Sequence, residues 1–343
     1  MNADVNKLRA ISRFEMDDES TKVLRDIFKD KFITITDCNE IFMHRIQFLL
    51  LRHALNDPEL KLEKMLGRQL SAELVFLQKK YEEFLMYISK LVKALNEKRI
   101  PYSLLKGFSI INSLYSSNNV IYRDFGDVDV LINKNDLDAI IPILTEIGFI
   151  QGYLDREYKV QKADRKEIIY WRLNSHQEQT FIKPSKYADI SPILVCRVDL
   201  NTTIFEGGKL ALPISTEDLL KETRLHNIND SLQIRSLCYE LELIQLCYHL
   251  YKDISFKGEN VFFGDYTLIK FCDIREYIRK YREAIDWDKF LYYINTCDIG
   301  RAIYISLLLV STFYGDLEMD EVLAKIKAEK SDITVPEWEE VLI

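Results

Sequence analysis

Asp127 and Asp129 open the segment DVDVLI. On an extended strand, residues two apart point to the same side. Both carboxylates therefore share one face, and Val128, Val130 and Ile132 turn toward a core. Two neighbouring carboxylates repel each other, and burying them unpaired is costly. A divalent cation removes that cost. Mg²⁺ takes hard oxygen ligands, usually one or two carboxylates together with substrate phosphates. Asp127 and Asp129 are accordingly expected to be metal ligands. The D-x-D pattern alone does not name the reaction, because many glycosyltransferases hold the metal of a nucleotide sugar with such a pair.

A second group of residues suits the same substrate. In LLKGFSIINSLY a strand, a glycine turn and a helix start follow one another. That order presents backbone N–H groups and the positive end of a helix dipole to an anion. Gly107 is expected to allow phosphates to approach closely, and Ser109 to add a hydroxyl. Lys106 is expected to reach a phosphate or to orient an acidic side chain. Arg123, in the loop before the acidic pair, is a further candidate phosphate contact. Two-metal phosphoryl transfer needs a third carboxylate on a neighbouring strand, to hold the second ion or to activate the acceptor hydroxyl. Asp199 in CRVDLNTTI fits. There Cys196, Val198 and Leu200 fall on one strand face, and Arg197, Asp199 and Asn201 on the other. His176 is a candidate acid, base or substrate contact. Asp273, set between Cys272 and Ile274 in an apolar stretch, reads as a buried carboxylate needing a partner such as a helix cap or an arginine.

The elements that must position these residues follow from periodicity. Residues 18–57 read as helices, and Ser71 to Asn96 as one long amphipathic helix. Pro101 ends that region. Tyr102 to Leu105 reads as a strand, Phe108 to Tyr115 as a helix, Asp127 to Ile132 as a strand, and Asp136 to Ile147 as a helix ending at Gly148. Residues 149–212 look β-rich, with strands expected at Ile168 to Leu173, Thr180 to Ile182 and Val195 to Ile204. After Pro213 the chain reads as helical, with helices at Ser215 to Leu220, Leu237 to Tyr251, Tyr266 to Tyr281, Trp287 to Asn295 and Ile299 to Tyr314. The expected organisation is an N-terminal helical region over 1–98, a core over 99–212 and a C-terminal helical domain over 213–343.

Composition narrows the partners. The chain has 343 residues, 48% of them hydrophobic and 29% charged, enough for a sizeable core. Its 11 glycines and 7 prolines favour long helices. A net charge of −8, without a dense Lys/Arg run, argues against gripping a long nucleic acid, which takes a basic surface. A nucleotide held through a metal remains compatible with that charge. The six cysteines form no C-x-x-C pair and read as reduced, buried thiols. The N-terminus is polar, and the longest apolar stretch, Ile303 to Tyr314, is too short to span a bilayer. A cytoplasmic location without a membrane partner is expected.

Taken together, these residues resemble the polymerase-beta-like nucleotidyltransferase superfamily. They are more closely similar to a family of bacterial proteins known as uncharacterised nucleotidyltransferases. The resemblance runs through Leu105-Lys106-Gly107, Tyr115, Arg123 and the segment Asp127 to Ile132, then His176 and Val198-Asp199-Leu200. It covers roughly residues 75–315. Asn201 stands where the family usually has a histidine, and Phe108 separates Gly107 from Ser109 where the wider superfamily has adjacent Gly and Ser. The resemblance implies an α+β fold, a small mixed sheet with N-terminal helices and a C-terminal helical bundle. It implies attack of an acceptor on the α-phosphate of an NTP such as ATP, with Mg²⁺ or Mn²⁺ held by Asp127, Asp129 and Asp199. The acceptor is a small molecule, a peptide or a protein. Sugar transfer from a nucleotide sugar, or nucleotide binding without catalysis, are the alternative readings.

Overall fold

Strand-forming and helix-forming segments alternate through the middle of the chain, and the helices gather at its two ends. The computed structural model describes residues 3–190, 193–205, 214–229, 232–255 and 267–326. Helices α1 (Ala3–Ile11), α2 (Asp18–Ile27), α3 (Asn39–Met43), α4 (Gln47–Asn56) and α5 (Lys64–Glu97) come first. Then follow β1 (Tyr102–Leu105), α6 (Lys106–Tyr115), the short pair β2 (Ser116–Ser117) and β3 (Val120–Ile121), β4 (Val128–Ile132) and α7 (Leu137–Ile147). Next come β5 (Ile150–Leu154), β6 (Val160–Lys162), α8 (Arg165–Asn174), β7 (Phe181–Pro184), β8 (Val195–Asn201), α9 (Thr216–Lys221), β9 (Thr223–Asn229) and β10 (Leu232–Leu237). The described chain ends with α10 (Tyr239–Ser255), α11 (Leu268–Tyr281), α12 (Trp287–Thr296), α13 (Gly300–Tyr314) and α14 (Asp320–Lys325). This is an α+β fold with a mixed sheet, N-terminal helices and C-terminal helices.

The chain divides into two compact units. One comprises Phe76–Ser113 and Phe125–Cys238 and holds the sheet. Its eight strands run in the order β6-β5-β7-β8-β4-β1-β10-β9. β4 pairs with β8 in parallel and β1 with β10 in parallel, while every other neighbour is antiparallel. β1 and β4 are buried along their whole length, so they read as nearly continuous apolar runs rather than alternating ones. Leu104, Val128, Val130, Leu131 and Leu200 are shut off from solvent, as are Phe84, Ile110, Ile140 and Leu144 from the helices. Each such side chain contributes roughly 1.5–3 kcal/mol by leaving water. Gly148 closes α7 at φ +100°, a conformation that glycine adopts without a Cβ clash.

The other unit comprises Met1–Val75, Leu114–Asp124 and Tyr239–Ile343. Asp316 ties its two ends together. It accepts from Arg13 at 2.7 Å and from Arg275 at 2.6 Å, and Arg275 is completely buried.

Two segments differ from what the sequence led us to expect. Ile168 to Leu173 lies inside α8, not in a strand. A capping box fixes the start of that helix: the Asp164 carboxylate accepts from the backbone of Lys166 and Glu167, and Glu167 returns the bond to the Asp164 N–H. The segment after Pro213 holds strands β9 and β10 beside its helices, and β10 joins the sheet next to β1. Pro213 itself and Tyr266, where the sequence placed a helix start, lie outside the described residues. All six cysteines are free thiols. Among the described residues no helix is long and apolar enough to cross a membrane.

Candidate active site

The site grows out of three adjacent strands. Asp129 lies within β4, with Leu105 of β1 beside it on one edge and Asp199 of β8 on the other. Asp129 is 6% and Asp199 8% exposed, so two carboxylates face each other in a dry part of the sheet. Asp127 sits one residue before β4 and is half-buried. Its position is set from the protein interior: the ring of Phe125 packs 5.1 Å from Phe84 and 5.6 Å from Phe108, between α5 and α6. Lys80 of α5 donates to the Phe125 carbonyl.

Cations and donors surround the acids. Lys106 follows β1 directly, and its Nζ lies 3.2 Å from Asp129 Oδ1. Asn201 Nδ2 donates to the same oxygen at 2.9 Å. Thr180 bonds the Asp199 carboxyl, but Asp199 Oδ1 is enclosed with no hydrogen-bond partner among the described residues. Burial, then the charges of Asp127 and Asp129, push the Asp199 carboxyl up to about 7. Burial, then Asp129, push Asp127 up to about 6, while Lys106, Arg197 and Lys80 pull it the other way. A carboxylate oxygen enclosed without a donor among the described residues, beside two further carboxylates, is a setting that a cation fits.

The donors are all hard oxygens, which fits Mg²⁺ or Mn²⁺. No group of three His, Cys, Asp or Glu side chains among the described residues is gathered closely enough to enclose an ion by itself. A cation here would complete its shell with substrate phosphates and water, as Mg²⁺ commonly does.

The other residues singled out from sequence fall in different places. Gly107 and Ser109 lie in the first turn of α6. The left-handed backbone belongs to Lys106, at φ +52°, rather than to Gly107. Ser109 Oγ donates to the Lys106 carbonyl at 2.8 Å, inside the helix. The loop carrying His176 is docked on the end of β8: the His176 carbonyl accepts from Thr202 N at 2.8 Å and Thr202 Oγ1 at 2.9 Å. Arg123 is held by a partner of its own. It belongs to the other unit, where Nε and NH2 bond the two oxygens of Asp273 at 2.7 and 2.6 Å and NH1 reaches the Asp124 carbonyl. Tyr115 donates to the same Asp273 at 2.7 Å. The buried Asp273 thus has the arginine partner its setting called for.

Sequence reasoning had not assigned Asn201, Thr180, Lys80 or Arg197 to the site. Asn201 and Arg197 were within reach of it, because strand alternation already put them on the Asp199 face.

Two comparisons bear on this arrangement. The sequence profile of the family described as uncharacterised nucleotidyltransferase matches residues 39–315, which include every residue discussed above as part of the site. No curated protein matches the chain.

Proposed function

We propose a reaction for this chain, which belongs to the uncharacterised nucleotidyltransferase family: transfer of a nucleoside monophosphate from an NTP to a small-molecule, peptide or protein acceptor. The observation that carries the reading is the side-by-side burial of Asp129 and Asp199, with Asp199 Oδ1 lacking a donor among the described residues. The order of Leu105-Lys106-Gly107 before Asp127 and Asp129 also supports a kinship with polymerase-beta-like nucleotidyltransferases.

In this reading Asp127, Asp129 and Asp199 hold Mg²⁺ or Mn²⁺. When bound, the metal supplies charge neutralisation at the phosphates. Lys106 and Asn201 hold Asp129 Oδ1 and so fix the direction of that carboxylate. The Asp199 carboxylate takes the proton from the acceptor as the acceptor atom attacks the α-phosphorus. The bond from the α-phosphorus to the bridging oxygen breaks, and pyrophosphate leaves. Most of the acceleration comes from positioning and charge neutralisation, as in other in-line phosphoryl transfers.

The test is Mg²⁺-dependent NTP binding, measured by calorimetry on the wild type and on an Asp127→Asn/Asp129→Asn double variant. Binding in the wild type and none in the variant is the expected result. Equal binding in both sinks the assignment. Mass spectrometry of candidate acceptors incubated with NTPs and UDP-sugars separates nucleotidyl from hexosyl transfer.

A further inference from the structure

We infer that Arg197 grips the polyphosphate tail of the nucleotide. This inference rests on the nucleotidyl-transfer reading above.

In the β4–β8 ladder Val128 stands opposite Val198 and Asp129 opposite Asp199. Continuing the same parallel register by one step sets Asp127 against Arg197. The acid-bearing face therefore has ranks: Asp129 with Asp199, then Asp127 with Arg197. Exposure rises along it. Asn201 is 2% exposed, Asp129 6% and Asp199 8%, Asp127 is half-buried, and Arg197 is exposed. The face opens to water at the Arg197 rank, and a charged tail leaving the acids passes there.

Three cations act on Asp127: Lys106, Arg197 and Lys80. Lys106 is bonded to Asp129, and Lys80 to the Phe125 carbonyl. The Arg197 side chain makes no hydrogen bond or ion pair with any described residue. A guanidinium offers a planar fork of donors that matches phosphate oxygens. Unheld, exposed and beside the acids, it is the cation of the three whose donors are all available to a ligand. The ligand class is a nucleoside di- or triphosphate, recognised through its non-bridging phosphate oxygens.

The experiment measures NTP and NMP dissociation constants in Mg²⁺ for the wild type, Arg197→Ala and Arg197→Lys. Losing a charge-assisted contact to the tail weakens NTP binding in Arg197→Ala by about 10- to 100-fold. NMP, which has no tail, binds both proteins within about 3-fold. Arg197→Lys recovers part of the NTP affinity. The side chain is exposed and unbonded, so the thermal midpoint of Arg197→Ala should match the wild type. Equal NTP affinity in wild type and Arg197→Ala overturns the inference and leaves the proposed reaction standing. Equal weakening for NMP and NTP also overturns it, because Arg197 then acts only through the charge balance at Asp127. A wild-type protein that binds neither nucleotide removes the proposed reaction, and this inference with it.

Discussion

Asp199 keeps one carboxylate oxygen enclosed without a donor among the described residues, and its titration reports on the site. Its carboxyl is pushed up to about 7, against an ordinary value of 3.8. The folded protein therefore binds a proton more tightly than the unfolded chain between those two values. Stability is highest below about pH 4 on this account and falls as pH rises through 7. The total effect is on the order of 4 kcal/mol at about 1.4 kcal/mol per unit. Asn carries no charge to desolvate. Without metal, Asp199→Asn should equal or trail the wild type at pH 4.5 and exceed it by a few kcal/mol at pH 8. Urea unfolding at both pH values checks this, and parallel pH profiles would show that the carboxylate is not strained. The acids were legible at this scale because alternation along a strand needs only local sequence. Asp127, Asp129, Asp199, Arg197 and Asn201 could all be put on a face before any pairing was known. The bond from Asn201 to Asp129 was not legible, since it spans 72 residues.

The junction of β1 and α6 shows what an element does for the site. A strand passes into a helix with no loop between them, and Lys106 takes the left-handed conformation that this requires. That conformation costs a non-glycine residue roughly 1–2 kcal/mol. The strain sets Lys106 next to Leu105, whose cross-strand neighbour is Asp129. Lys106→Ala and Lys106→Gly both delete the charge, but only Gly relieves the backbone. Lys106→Gly should be more stable than Lys106→Ala by about 1 kcal/mol, with equally impaired Mg²⁺-NTP binding. A stability order with Ala above Gly would deny the strain. The sequence pointed to a turn at this place and gave it to Gly107. The turn falls one residue earlier, because the helix begins at once and draws Gly107 into its first turn. α8 went the other way. Ile168-Ile169-Tyr170-Trp171 look like a strand by residue type, yet the Asp164-x-x-Glu167 box starts a helix that buries none of its side chains. With no buried stripe there is no helical period to read, and the cap was the usable signal. β10 had a readable period: Leu232, Ile234 and Ser236 are buried, while Gln233 and Arg235 are not.

Across the whole molecule, charge pairs far apart in sequence hold distant segments. Arg123 and Asp273 are separated by 150 residues and buried together, with Tyr115 donating to the same carboxylate. Removing one partner leaves a buried charge uncompensated, which typically costs 3–5 kcal/mol. Arg123→Ala should lower the free energy of unfolding by about that amount, and an Arg123→Met/Asp273→Leu double variant should regain part of it. Denaturant titration decides the point, and a loss under about 1 kcal/mol would show that the pair holds nothing together. Arg123 stands four residues before Asp127, close enough in sequence to suggest a phosphate contact, and its bonded partner Asp273 comes from α11.

The sequence by itself determined the chemistry that the chain could carry: which carboxylates share a strand face, that a lysine and a glycine precede them, and that long helices occupy both ends. These depend on neighbours within a few residues, and local periodicity records them. Tertiary structure alone decided the rest. It set Asp199 against Asp129, gave one oxygen of Asp129 to both Lys106 and Asn201, assigned Arg123 to Asp273, and left the Arg197 side chain without a partner among the described residues. Strand order and long-range ion pairs arise from packing distant segments against one another, and no local pattern encodes which segments will meet.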